Sequence, residues 1–117
     1  MPRARAKASQ RTGILPIQEI RALVASGAIH AERAFAATQI QPASLDLRLD
    51  EVAYRVRASF LPGGPESRAS VMDRLKELSL HEIKLGAGAV LETGCVYVVP
   101  LQERLALPAD VAAAANP

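Results

Sequence analysis

Ser44-Leu45-Asp46-Leu47-Arg48-Leu49 is the stretch on which the fold turns. Apolar and polar residues alternate strictly through it. In an extended chain this sends Leu45, Leu47 and Leu49 to one face and Asp46 and Arg48 to the other. The stretch predicts a strand with a buried leucine face and a wet polar face. The alternation resumes at Val52, Tyr54 and Val56 in the opposite phase. A slip of one residue turns every side chain over, so a bulge or turn is expected near Asp50-Glu51. Asp46 and Arg48 share the polar face. They have the placement to bind a polar ligand, to pair across a subunit boundary, or to form a solvated, ion-paired sheet surface.

Before this strand, residues 13–29 read as a short amphipathic helix. Pro16 suits the first helical position, where its missing N–H has no partner to lose. Ile17, Ile20, Leu23 and Val24 fall on one stripe, and Gly27 is placed to end the helix in a left-handed conformation. Residues 30–39 have no period and read as a loop. Beyond the strand, Leu61 to Ser67 carries two Pro and two Gly and is a second loop.

Ser70 to Leu80 is helical in pattern. Ser70 and Asp73 resemble a capping box, and Val71, Leu75 and Leu78 share a face. Further strands are expected at Ala89 to Glu92, at Cys95 to Leu101 and around Leu105 and Leu107. The second of these is continuous and β-branched, as in a strand covered on both faces. Ala112 to Ala115 is an apolar run ending at Asn116-Pro117. The expected fold class is mainly β with short flanking helices (α+β), an antiparallel sheet or barrel whose closing strands lie beyond residue 117.

The chain has 117 residues and 12.4 kDa, enough for one small domain at 13–117. Hydrophobic residues make up 50% and charged residues 22%, which fits a globular domain rather than a disordered one. With two Tyr, two Phe and no Trp, the platforms for stacking nucleic-acid bases are missing. Cys95 is the single cysteine, so no internal disulfide forms. Cys95, His30 and His81 lie too far apart in sequence to suggest a zinc site. No apolar run approaches the ~20 residues of a membrane helix, and no secretory signal follows the basic N-terminus. The expected location is cytoplasmic.

The formal charge of +2 divides unevenly. Arg3, Arg5, Lys7 and Arg11 give residues 1–12 a charge of +4 with no acid, so 10 bases face 12 acids in the rest. The basic stretch is read as a disordered, solvated tail, with contact to phosphates or anionic surfaces as the alternative. No local signature of a nucleophile surrounds any Ser or Cys. Cys95, inside an apolar strand, reads as a small buried hydrophobe. His81-Glu82 lacks the second His of a metalloenzyme helix and is placed at a helix end or turn. Gly86-Ala87-Gly88 reads as a turn rather than a phosphate loop.

Three segments together resemble the dCTP deaminase family. They are Gly13-Ile14-Leu15 with Ile40-Gln41-Pro42-Ala43-Ser44-Leu45-Asp46-Leu47-Arg48-Leu49, then Leu85-Gly86-Ala87-Gly88-Ala89-Val90-Leu91-Glu92, and finally Leu101-Gln102-Glu103-Arg104-Leu105-Ala106-Leu107-Pro108-Ala109-Asp110-Val111. The likeness spans residues 13–117 and corresponds to the N-terminal portion of such enzymes. Asp50 departs from it, standing where many relatives have Gly. The resemblance implies an incomplete dUTPase-like distorted β-barrel, assembled as a homotrimer with active sites between subunits. It implies hydrolysis of dCTP to dUTP and ammonia in pyrimidine deoxynucleotide biosynthesis, with Mg²⁺ on the triphosphate, a Glu general base and no zinc.

The family's Ser-Ser-x-x-Arg element is expected directly after Asn116-Pro117, and its general-base Glu later still. No catalytic, substrate-binding or metal-binding residue is therefore carried over to this chain, which is expected to be inactive alone. Asp46 and Arg48 match a family motif and are assigned to sheet and subunit packing. The alternatives are a dUTPase-type nucleotide hydrolase, or a non-catalytic barrel serving assembly or nucleotide sensing.

Overall fold

Pro16 sets where the first helix begins. In the computed structural model, which describes residues 12–57 and 68–116, its backbone is extended (φ −77°, ψ 167°) and its carbonyl accepts from the N–H groups of Glu19 and Ile20. Pro16 is thus the cap itself, one position before the first helical residue, and α1 runs Ile17–Ser26. Ile20 is buried, and Ile17, Leu23 and Val24 are half-buried beside it, as the stripe requires. Gly27 closes the helix at φ 81°, with its N–H donating to the Val24 carbonyl. Open space surrounds the position a Cβ would take there, so only backbone strain opposes a side chain. Gly27→Ala is expected to cost about 1–2 kcal/mol, the penalty of the left-handed conformation for an L-residue, read as a lower urea midpoint with an unchanged slope.

Residues 30–39 are more ordered than the loop expected from sequence. They contain most of strand β1, Ile29–Ala31, and a 3₁₀ turn at Ala37–Gln39. A tight hairpin follows: Ile40 and Leu45 pair, flanked by the bonds Gln41 N to Ser44 O (2.9 Å) and Asp46 N to Gln39 O (2.8 Å). Pro42 sits in the loop of this hairpin, where a missing N–H costs nothing.

The strand expected at 44–49 does not form. Asp46 N–H is used within the hairpin, and Arg48 N–H donates to the Glu103 carboxylate (2.9 Å) rather than to a neighbouring strand. The segment is joined to other backbone only by isolated pairs at Leu45 and Leu49. From Leu47 to Leu49 the faces are reversed from expectation, with Leu47 and Leu49 exposed and Arg48 half-buried, while Leu45 is half-buried and Asp46 exposed, as expected.

β2, Val52–Val56, is the centre of a three-stranded antiparallel sheet of order β3-β2-β4, with β3 at Ser79–Lys84 and β4 at Val96–Val98. The bulge lies between Arg55 and Val56, not at Asp50-Glu51. There β2 advances by one residue while β3 steps from His81 to Ser79, so the extra residue, Leu80, belongs to β3; Ala53 and Val56 are the buried side chains of β2. Helix α2, Arg68–Leu78, packs against β2 and buries Leu75, with Val71 and Leu78 half-buried. Ser70 falls inside this helix rather than at its cap.

His81 and Glu82 lie in β3, exposed, opposite Arg55 and Tyr54 of β2. The helix end or turn expected for them is corrected to a strand, because the chain leaves α2 directly into sheet pairing. Residues 89–92 form no strand. The flanking turns hold Gly88 at φ 85° and Gly94 at φ 80°, and the Glu92 N–H is taken by the Tyr97 hydroxyl. β4 is shorter than the Cys95 to Leu101 strand expected and is not covered on both faces, since Val96 is exposed. β5, Glu103–Leu105, pairs with β1 in a second, two-stranded sheet.

The described strands do not close into a barrel, and the fold is mainly β with two helices, as expected. Two compact units are distinguished. One takes the described residues of Met1–Ile29, Phe35–Asp46 and Leu105–Pro117, and the other His30–Ala34 and Leu47–Arg104. Residues 1–11 of the tail expected at 1–12, and the loop at 61–67, lie outside the described residues. No helix among the described residues is long and apolar enough to cross a membrane.

Candidate functional site

The most constrained polar group in the second unit is Glu103. Its side chain is 1% exposed, and both carboxylate oxygens are used by Arg48: Oε1 accepts from Nε at 2.8 Å and Oε2 from the main-chain N–H at 2.9 Å. Arg48, whose side chain is 23% exposed, spends its remaining donors on backbone. Nη1 donates to the Ala34 carbonyl and Nη2 to the Arg33 carbonyl, each at 3.0 Å. The planar guanidinium suits this task, because its donors leave in fixed directions that a lysine ammonium does not reproduce. One residue thereby ties three segments together: 33–34, 48 and 103.

The same junction is reinforced by backbone. Gln102 N donates to the Arg48 carbonyl and Asp50 N to that of Pro100, both at 2.9 Å, while Gln102 Nε2 reaches the Leu49 carbonyl at 2.8 Å. Leu49 and Leu101 stand opposite each other between these two bonds.

Asp46 and Arg48, placed by sequence on one polar face, each have their own partners. Asp46 remains exposed; its Oδ2 accepts from Gln41 Nε2 at 3.5 Å, and its carbonyl accepts from Gln39 Nε2 at 3.0 Å. Gln39 is buried and fully engaged, since its Oε1 also takes the Ala36 N–H at 2.9 Å. Neither residue lies in a described strand, so the sheet packing expected of both is corrected: Asp46 is exposed, and the half-buried Arg48 joins segments of its own unit.

Cys95 is half-buried, with Sγ 3.6 Å from Glu92 Oε2. The same carboxylate oxygen pairs with Arg55 Nη1 at 3.1 Å. Cys95 therefore has a polar neighbour that its apolar sequence context did not announce. Glu92 is well exposed, and a solvated ion pair of this kind contributes at most about 1 kcal/mol.

A cleft of about 550 Å³ in the second unit is lined by His30, Glu32, Arg33, Asp50, Glu51 and Arg104, with Leu101 and Gln102 completing it. Its volume falls in the range of small-molecule sites, but such sites are mostly apolar with a few converging polar groups. Here a single leucine accompanies charges of both signs. Three carboxylates against two guanidiniums leave an acidic surface, which opposes a triphosphate. Sequence reading missed both this cleft and the role of Glu103, because each joins residues about fifty positions apart.

A β-rich fold whose described strands do not close, with a buried Arg–Glu pair in its second unit, is the class of protein these features define. Over residues 11–117 the sequence matches the family model described as the 2'-deoxycytidine 5'-triphosphate deaminase (DCD) N-terminal domain, and the chain belongs to that family. Its structure is similar to the crystal structure of 2'-deoxycytidine 5'-triphosphate deaminase from Agrobacterium tumefaciens, with a TM-score of 0.74 and 59% sequence identity. The likeness covers 83% of this chain and 28% of that one, so the chain spans well under half of that relative's length. Among curated proteins none matches.

Proposed function

We propose that this chain is the N-terminal portion of a cytoplasmic, homotrimeric hydrolase that converts dCTP to dUTP and ammonia for pyrimidine deoxynucleotide synthesis. The 59% identity to a solved dCTP deaminase, carried on a matching fold, is the observation that supports the reading. In this reading residues 13–117 are scaffold, preceded by a basic tail, and Arg48 with Glu103 holds the junction firm. The chemistry needs a carboxylate to take a proton from the water attacking C4 and fixed donors to stabilise the charge that develops. No side chain described above has that arrangement, so none is assigned a catalytic or substrate-binding role. Mg²⁺ accompanies the triphosphate in this proposal. Among the described residues no group of three His, Cys, Asp or Glu side chains could hold a metal ion, so these residues do not fit a metal site.

The test is a chimera in which this chain replaces the matched part of the Agrobacterium tumefaciens enzyme. Ammonia release from dCTP is expected within about tenfold of the parent, a difference of about 1.4 kcal/mol in barrier. A folded chimera without deaminase activity would reject the proposal, and release of diphosphate from dUTP instead would favour the dUTPase-type reading. The 117-residue chain alone is expected to release no ammonia; turnover by it would place catalytic residues within this chain.

A further inference from the structure

Five apolar side chains are buried among the described residues, while ten large ones are exposed, which is too lopsided to ignore in so small a core. Three of the exposed set form one patch within the second unit. Leu47 and Leu49 are two residues apart in an extended segment and so share a face. Leu49 is paired with Leu101. The bonds Asp50 N to Pro100 O and Gln102 N to Arg48 O flank that pair, which makes it the non-hydrogen-bonded kind. In that geometry the α-carbons approach to about 4.5 Å and the side chains stand closest together. Even so, Leu47, Leu49 and Leu101 remain 44%, 55% and 41% exposed. Behind them the Arg48–Glu103 lock holds the backbone, so the patch is presented on a fixed support. Beside them lies the cleft of mixed charge, with Leu101 in its wall. An apolar centre with a charged border on rigid backbone is the anatomy of a protein interface rather than of a ligand pocket.

We infer that the Leu47, Leu49 and Leu101 face is the seam against which the remainder of a full-length dCTP deaminase packs. This rests on the family reading. The choice of occupant comes from the relative's size: 28% of its chain corresponds to the matched residues, leaving most of it available to cover surface that this domain exposes. The occupant presents apolar side chains to the leucines and charges of both signs to Arg33, Arg104, Asp50 and Glu51.

The test uses single cysteines introduced as Leu49→Cys and Leu101→Cys in a Cys95→Ser background, with Lys76→Cys on the exposed face of α2 as control. Maleimide labelling rates are compared between the 117-residue chain and the chimera described above. Both leucine positions are expected to react at least about tenfold more slowly in the chimera, while position 76 reacts alike in the two. Equal rates at positions 49 and 101 overturn the proposal. So does protection in the 117-residue chain that grows with its concentration, because a second copy would then be the occupant. Protection in a folded chimera that releases no ammonia would sink the enzymatic assignment and leave the seam standing.

Discussion

Arg48→Ala is expected to destabilise the domain by about 3–5 kcal/mol, the usual cost of leaving one member of a buried ion pair alone. Against a total of about 5–15 kcal/mol for a native domain, that approaches unfolding. The asymmetry of burial decides the direction. Glu103 is almost completely enclosed and Arg48 only partly, so removing the arginine side chain leaves a buried carboxylate with its main-chain bond at position 48 but without the guanidinium that balances its charge. The same change deletes the donors to the carbonyls of Arg33 and Ala34, loosening the segment that follows β1. Glu103→Gln keeps the shape and one acceptor, so a milder loss of about 1.5–3 kcal/mol is expected, the worth of a hydrogen bond to a charged group. Replacing both residues with apolar ones, as Arg48→Met with Glu103→Leu, is not expected to restore full stability. The Arg48 main-chain N–H also uses that carboxylate, and it would be left unpaired at a cost of about 1–3 kcal/mol. Urea midpoints for the four proteins test the order wild type, Glu103→Gln, then Arg48→Ala, with the double variant above Arg48→Ala. An Arg48→Ala protein with an unchanged midpoint would show that the pair contributes nothing.

How much of this was legible in the sequence depends on the range of the interaction. The α1 stripe and the left-handed stop at Gly27 were readable because they depend on neighbours within a turn or two. The α2 face carrying Leu75 was readable for the same reason. The alternation at 44–49 misled because it reports only that side chains point to opposite sides, not which side is covered. Coverage around Arg48 is set by Glu103, which captures it from fifty-five positions away and leaves Leu47 and Leu49 facing outward. The phase change after Asp50 was read as a bulge or turn there, but the register irregularity lies at Arg55/Val56, with its extra residue in β3, and has no counterpart in the alternation along β2. Apolar character alone could not make a strand of 89–92, which is set between turns closed by the N–H groups of Gly88 and Cys95 and gives its Glu92 N–H to the Tyr97 hydroxyl. The family likeness was visible in short motifs, and the reactive groups it implies were expected outside them.

Leu75→Ala is the second change expected to have a large effect, a loss of about 2–5 kcal/mol. Leu75 is 1% exposed and is the largest fully buried side chain among the described residues. The value within that range depends on whether the cavity can collapse, and here the opposing strand resists it. β2 is the central strand, bonded on both sides, and its buried residues include Ala53, whose side chain is too small to fill a void. The upper half of the range is therefore expected. Met72, on the same helix but exposed, supplies the contrast: Met72→Ala should stay within about 0.5 kcal/mol. If α2 were held only by its own helical propensity, alanine at either position would be neutral or better, because alanine is the strongest helix former. A midpoint that falls sharply for Leu75→Ala and holds for Met72→Ala therefore identifies packing on β2 as what keeps the helix in place. Equal behaviour of the two variants would show that α2 contributes little to the core.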